Sequence, residues 1–227
     1  MRTPPVLLAV LAGLFAALAI APVGRLTWAL ENAAFAAAIV FLVSTRRRAP
    51  LSDSAYGAVF AFLALHEVGA QSTYSLVPYG DWCAQISGRA VELDRNHFDR
   101  FVHLCFGLLV APALREFLRA LVALRGSAAF FLPLFVCIAW SALYELVEWS
   151  AALAFGGDAT YAYVGAQGDP WDAQKDMALA AAEATLSLAL VTLVERVKAS
   201  ASRAGTRPAP RPRRRWRELR GLRGTSP

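Results

Sequence analysis

Apolar runs of about the length of a membrane-spanning helix are the feature that most restricts how this 227-residue chain can fold. A spanning helix needs about 20 mostly apolar residues, and a helix satisfies its own backbone hydrogen bonds within lipid. Hydrophobic residues make up 57% of the chain, above the roughly 45–50% of ordinary soluble domains. The sequence therefore predicts an all-α, polytopic transmembrane bundle of about six spans.

The polar ends of these runs predict an orientation. The predicted spans cover residues 6–21, 26–43, 55–71, 96–118, 127–155 and 169–194. Three arginines follow the second span at positions 46–48, and Arg115, Arg119 and Arg125 close the fourth. The positive-inside rule assigns such clusters to the cytoplasm. Alternating spans then place both termini in the cytoplasm.

The first apolar run has two interpretations. It follows a single arginine and ends in Ala-Ile-Ala, as a cleaved signal peptide does. However, Pro22 comes directly after that site, and the second apolar run begins almost at once. We expect an uncleaved span, with cleavage as the alternative.

Charge divides the chain into two predicted regions. Residues 1–200 are expected to form the bundle, with a core of polar motifs in 55–194, and residues 201–227 a disordered, Arg/Pro-rich cytoplasmic tail. Nine arginines and one glutamate from Arg203 onward carry +8, whereas the whole chain carries +6. We expect this tail to contact anionic membrane lipids, and we expect no nucleic-acid partner. The three cysteines lack the spacing of a metal site.

Ionisable residues gather in the predicted outer half of four spans. An ionisable group within the hydrocarbon costs at least ~2.5–3.5 kcal/mol, so such groups normally face the bundle interior and each other. All three histidines of the chain are among them. The set comprises His66, Glu67, His97, Asp99, His103, Glu145, Glu148, Asp169, Asp172 and Asp176.

Two imidazoles that face several carboxylates suit a divalent metal such as Zn, Mn or Fe, or an acid–base pair. The predicted catalytic residues are His66, His103, Glu145, Glu148 and Asp176. The predicted metal ligands are His66, His103, Glu145 and Asp176. No motif for an organic cofactor is present in the sequence.

Structural interpretations compete with this site. Asp99 and Asp169 are also expected at helix N-termini as caps, and Glu67 and Glu148 as solvated residues at the outer interface. Lys175 is expected to neutralise Asp172 or Asp176. The whole cluster is alternatively an ion-pair network that ties helices together.

Four motifs resemble a known family: HEVGAQSTYSLVPYGDW, NHFDRFVHLCFGLL, YELVEW and QGDPWDAQKDM, which begin at residues 66, 96, 144 and 167. In order and spacing they are similar to the YjdF-like inner-membrane proteins of bacteria, a family of unknown function. The resemblance covers about residues 55–194 and implies a multi-pass plasma-membrane protein.

A more distant resemblance is to VanZ-like membrane proteins, which are linked to glycopeptide tolerance and the cell envelope. It lies in Asp99 with His103, in the Tyr144-Glu145 pair and in the later aspartates Asp172 and Asp176. Two positions depart from that pattern: Arg100 replaces the usual lysine, and Glu148 stands where glutamine is expected.

Three functions remain open from the sequence. The first is an enzyme, metal-dependent or acid–base, with an outward-facing site for a lipid-linked or periplasmic small molecule. The second is a transporter or binding protein whose carboxylates carry protons or cations, although no inverted repeat is evident. The third is a structural membrane protein. The sequence does not predict an oligomeric state.

Overall fold

The computed structural model describes residues 3–90, 93–155 and 166–205, and these ranges are helical with no β-strand. These described ranges contain eight α-helices: α1 (Thr3–Leu18), α2 (Arg25–Thr45), α3 (Asp53–Gln71), α4 (Tyr79–Ser87), α5 (Phe98–Cys105), α6 (Ala111–Val122), α7 (Ala128–Phe155) and α8 (Asp172–Gly205). A π-helical turn, Phe106–Val110, joins α5 to α6. The predicted all-α fold is confirmed.

Within the described residues, four segments are long and apolar enough to cross a membrane: Arg25–Thr45, Phe98–Val122, Ala128–Ala154 and Asp172–Arg203. Helix α1 is a shorter apolar helix of 16 residues. Helix α3 has 19 residues, but Asp53, His66 and Glu67 lower its hydropathy. Together these helices agree with the predicted polytopic bundle of about six spans.

The chain separates into two compact units, Met1–Thr192 and Leu193–Pro227. The described part of the second unit is the end of α8, which continues to Gly205 and so beyond the expected end of the last span at Val194. The predicted tail, residues 201–227, therefore begins with five helical residues, and residues 206–227 lie outside the described residues. The predicted turn at 156–168 lies outside them as far as residue 165.

Helix α3 packs against α1, α2, α5, α6 and the π-helical turn. The start of α3 is capped by a side chain, because the Ser52 hydroxyl accepts the Ala55 N–H at 3.2 Å. The same hydroxyl donates to Glu116 Oε2 of α6 at 2.8 Å. The contact with Glu116 holds the start of α3 beside α6.

Small residues bring α8 close to the π-helical turn. A Cβ atom added to Gly107 would overlap the Ala180 carbonyl oxygen and lie 2.8 Å from the Ala184 nitrogen. Ser187 Oγ also donates to the Gly107 carbonyl at 3.1 Å. Pro112 follows the turn at the start of α6, and proline lacks the N–H that would continue the α-helical hydrogen bonds. This close approach positions α8 beside α5. The contact lies one helical turn after the polar residues of the candidate site on each of the two helices.

Candidate metal centre

Asp99, His103 and Asp176 form a buried group in which one ligand atom from each residue lies within 4.8 Å of the others. Asp99 and His103 are four residues apart on α5, so their side chains share a face. Asp176 of α8 lies four residues before Ala180, just as His103 lies four before Gly107. The Gly107–Ala180 contact therefore brings the two helices' polar residues together.

Glu145 of α7 joins this group through His103. Its Oε1 atom is 3.3 Å from His103 Nε2, and Asp99 Oδ1 is 3.7 Å from the same nitrogen. The imidazole nitrogen consequently lies between carboxylates from two helices. Of the four predicted metal ligands, the fold thus brings three together, and it adds Asp99.

Two carboxylate oxygens in this group have no hydrogen-bond donor within the described part of the chain. They are Asp176 Oδ1 and Glu145 Oε1, and both atoms are buried. Asp176 itself is only 2% exposed. Buried carboxylates are normally hydrogen-bonded, paired with a cation or bound to a metal, because an unpaired buried charge is costly. The group therefore has capacity for a cation.

A rim of ion pairs joins the starts of α5 and α8 next to the group. Asp172 accepts hydrogen bonds from Arg95 Nη1 at 2.7 Å, Arg95 Nη2 at 3.0 Å and Arg100 Nη2 at 2.9 Å. Arg100 Nη2 also donates to Asp169 Oδ2 at 2.6 Å. We call Arg95, Arg100, Asp169, Asp172 and Lys175 the charged rim. It holds together the two helices that supply the ligands.

Lys175 pairs with a different residue from those predicted. Its Nζ atom donates to Asp169 Oδ2 at 2.6 Å, rather than to Asp172 or Asp176. This hydrogen bond, followed by the one from the Trp171 N–H, lowers the pKa of Asp169 to about 2. Asp169 therefore remains charged at neutral pH. Asp169 lies three residues before the start of α8, in the turn that leads into the helix. It is therefore not the predicted N-cap.

A second polar network lies beside the first. Tyr144 of α7 donates a short hydrogen bond to the Glu31 carboxylate of α2. His66 Nε2 lies 3.2 Å from the Glu31 carbonyl oxygen, and His66 Nδ1 lies 2.6 Å from the Tyr74 hydroxyl. A carbonyl only accepts, so Nε2 carries the proton and, in the neutral imidazole, Nδ1 accepts from Tyr74. Burial, and secondarily the Glu31 charge, raises the pKa of Tyr74 well above its usual value, which keeps that hydroxyl protonated.

This network changes the role expected of His66. Both of its ring nitrogens are engaged by protein groups, so neither is free to bind a metal in this arrangement. The sequence interpretation also missed Glu31, which is 1% exposed. A signal was available, because Glu31 is the one charged residue between Arg25 and Arg46 in an apolar span.

The remaining predicted polar residues have different environments. Glu148 is 6% exposed and Glu67 is fully buried, so the expectation that they are solvated at an outer interface is wrong. Both carboxylate oxygens of Glu67 lack a hydrogen-bond donor among the described residues. His97, rather than Asn96, stands at the N-cap position of α5. Asn96 Oδ1 nevertheless accepts the Phe98 N–H at 2.9 Å.

A small cavity of about 50 Å³ lies between the two networks. Its polar lining includes Asp99 and His103 of the first network and His66, Tyr74 and Tyr144 of the second. A cavity needs about 10–15 Å³ to hold a water molecule. The space beside the candidate ligands is thus large enough for water or a single ion.

Comparison with known proteins shows a sequence similarity that covers most of this chain. A model of the family described as "Predicted membrane protein (DUF2238)" matches residues 4–196. The inner membrane protein YjdF of Escherichia coli (strain K12) is 39% identical over 154 residues, which cover 67% of this chain and 71% of that protein. No solved structure matches the chain. The predicted YjdF-like resemblance is confirmed, while the resemblance to VanZ-like proteins stays a prediction.

Proposed function

The chain belongs to the DUF2238 family of predicted membrane proteins, and we propose that it is a metal-dependent enzyme of the bacterial inner membrane. Asp99, His103 and Asp176 hold a divalent ion. The substrate class is a small molecule of the envelope, linked to a lipid or dissolved in the periplasm.

The observation that carries this proposal is the buried donor set. One nitrogen and two carboxylate oxygens lie within 4.8 Å of one another, and Asp176 Oδ1 has no hydrogen-bond donor among the described residues. Mixed nitrogen and oxygen donors suit Zn, Mn or Fe. Such an ion, when bound, supplies a Lewis acid that activates water or polarises a substrate oxygen.

Glu145 is the proposed acid–base partner. Its Oε1 atom lies 3.3 Å from His103 Nε2 and accepts no hydrogen bond from the described residues. It is therefore placed to take a proton from a water molecule beside the ligands. Glu148 lies one turn further along α7 and is buried. We assign to Glu148 the secondary role of accepting the proton from Glu145.

The cavity supports access from the bilayer for a lipid-linked substrate. Of its described lining residues, Trp140 is the exposed one, at 51%, and it belongs to a candidate membrane span. The side chains of the charged rim, by contrast, lie at the ends of α5 and α8 and pair with one another. A lipid-linked group would therefore approach the ligands past Trp140.

Metal analysis of the full-length protein, purified in detergent without chelator, tests the proposal. We expect about one Zn, Mn or Fe ion per chain, removable by a chelator and restored by adding the same metal. A protein that is isolated without metal and binds none of the three ions would contradict the proposal. It would leave the ion-pair network as the better interpretation.

The orientation is proposed as well, with both termini in the cytoplasm and the metal centre near the periplasmic side. Arg48→Cys and Gly126→Cys are expected to resist a membrane-impermeant thiol reagent in intact cells, because they lie at the arginine-rich ends of α2 and α6. Native Cys83 of α4 is only partly buried and should react. Labelling of both introduced cysteines, with Cys83 protected, would reverse the orientation.

A further inference from the structure

Helices α1, α2 and α3 line an apolar cavity of about 320 Å³, which shares no lining residue with the small cavity beside the candidate metal ligands. Its wall includes Leu8, Leu11, Ile39, Leu42, Val59 and Leu63. The volume is at the lower end of the roughly 300–1,000 Å³ of typical ligand pockets. The space therefore suits a slender apolar group.

A single cation contributes to this wall. Arg46 lines the cavity at the end of α2, where Pro4 of α1 and Tyr56 of α3 also line it. The Arg46 side chain is exposed, and no described residue forms an ion pair or hydrogen bond with it. Arg47 and Arg48 are equally exposed but do not line the cavity. An apolar groove thus ends in one positive charge that has no partner among the described residues.

We propose that this groove binds an acyl chain of an anionic phospholipid, whose phosphate pairs with Arg46. The apolar wall removes the acyl chain from contact with other lipids, and the guanidinium forms a bidentate pair with phosphate oxygens. A headgroup with net negative charge is preferred over a zwitterionic one because a zwitterionic headgroup brings its own cation. This site is independent of the proposed metal centre.

Native mass spectrometry of the full-length protein in detergent, with added phosphatidylglycerol or phosphatidylcholine, tests the headgroup contact. Wild type and Arg47→Gln should retain about fivefold more phosphatidylglycerol, the factor that corresponds to about 1 kcal/mol per basic residue. Arg46→Gln should lose this preference. If Arg46→Gln and Arg47→Gln show the same preference for phosphatidylglycerol, the proposal is overturned. The arginine that lines the groove would then contribute no more than an arginine that does not.

A second pair of variants tests the groove itself. Ala12 lines the cavity, whereas Ala37 of α2 is exposed and does not. Ala12→Trp should reduce the retention of both lipids by filling the space for the acyl chain, and Ala37→Trp should retain them as wild type does. If the two variants retain equal amounts of lipid, the groove is not the binding site. Thermal unfolding of all four variants checks that each is folded.

Discussion

Asp176→Asn is expected to weaken the binding of a divalent metal by more than about 100-fold while the metal-free protein stays folded. Loss of a residue that only supports a ligand typically costs 10–100-fold in affinity, and Asp176 is proposed as a ligand itself. Asparagine keeps the size of the side chain but removes the charge. Glu183→Gln is the matched control, because Glu183 is an acidic residue two turns further along α8 and outside the ligand group.

Thermal unfolding with and without metal separates this result from a structural role. A metal at 100 times its dissociation constant stabilises the folded protein by about 2.7 kcal/mol. Added metal should therefore raise the melting temperature of wild type and Glu183→Gln, but not of Asp176→Asn. After a chelator has removed the metal, wild type and both variants should unfold at similar temperatures.

The opposite pattern would identify an ion-pair network. Removing one member of a buried charge pair typically costs about 3–5 kcal/mol, so a structural Asp176 predicts strong destabilisation of the metal-free variant. In that case added metal would also leave the melting temperature of wild type unchanged. That combination of results excludes the metal centre.

Asp172→Asn is expected to destabilise the protein by about 3 kcal/mol. Its carboxylate is 5% exposed as a side chain and accepts hydrogen bonds from Arg95 and Arg100, which are 11% and 19% exposed. The variant removes one of the two rim carboxylates that pair with these guanidinium groups and leaves Asp169 as the other. The expected loss is at the lower end of the range for buried pairs because that second carboxylate remains.

Lys175→Gln is the control for Asp172→Asn. Lys175 also forms an ion pair in the charged rim, but its side chain is 50% exposed, and exposed pairs contribute about 0–1 kcal/mol. Chemical or thermal unfolding in detergent measures both variants. Equal stability of Asp172→Asn and Lys175→Gln would show that the charged rim does not hold α5 to α8.

The membrane spans could be predicted from the sequence because they depend on local composition. The fifth predicted span, 127–155, agrees closely with α7 (Ala128–Phe155). The π-helical turn was not predicted, although Pro112 and Gly107 mark its place. Its formation depends on how closely α8 packs on Gly107, which is a tertiary contact.

The polar residues of the site likewise depend partly on local sequence and partly on tertiary contacts. Hydropathy by itself determined that ionisable residues lie inside apolar spans, since burying such groups against lipid is costly. The i, i+4 spacing likewise placed Asp99 and His103 on one helix face. Only the tertiary structure decided the partners: Glu31 and Tyr74 engage His66, while Asp176 faces His103. Those partners depend on how each helix is rotated and packed against its neighbours, and that rotation is set by contacts between residues far apart in the chain.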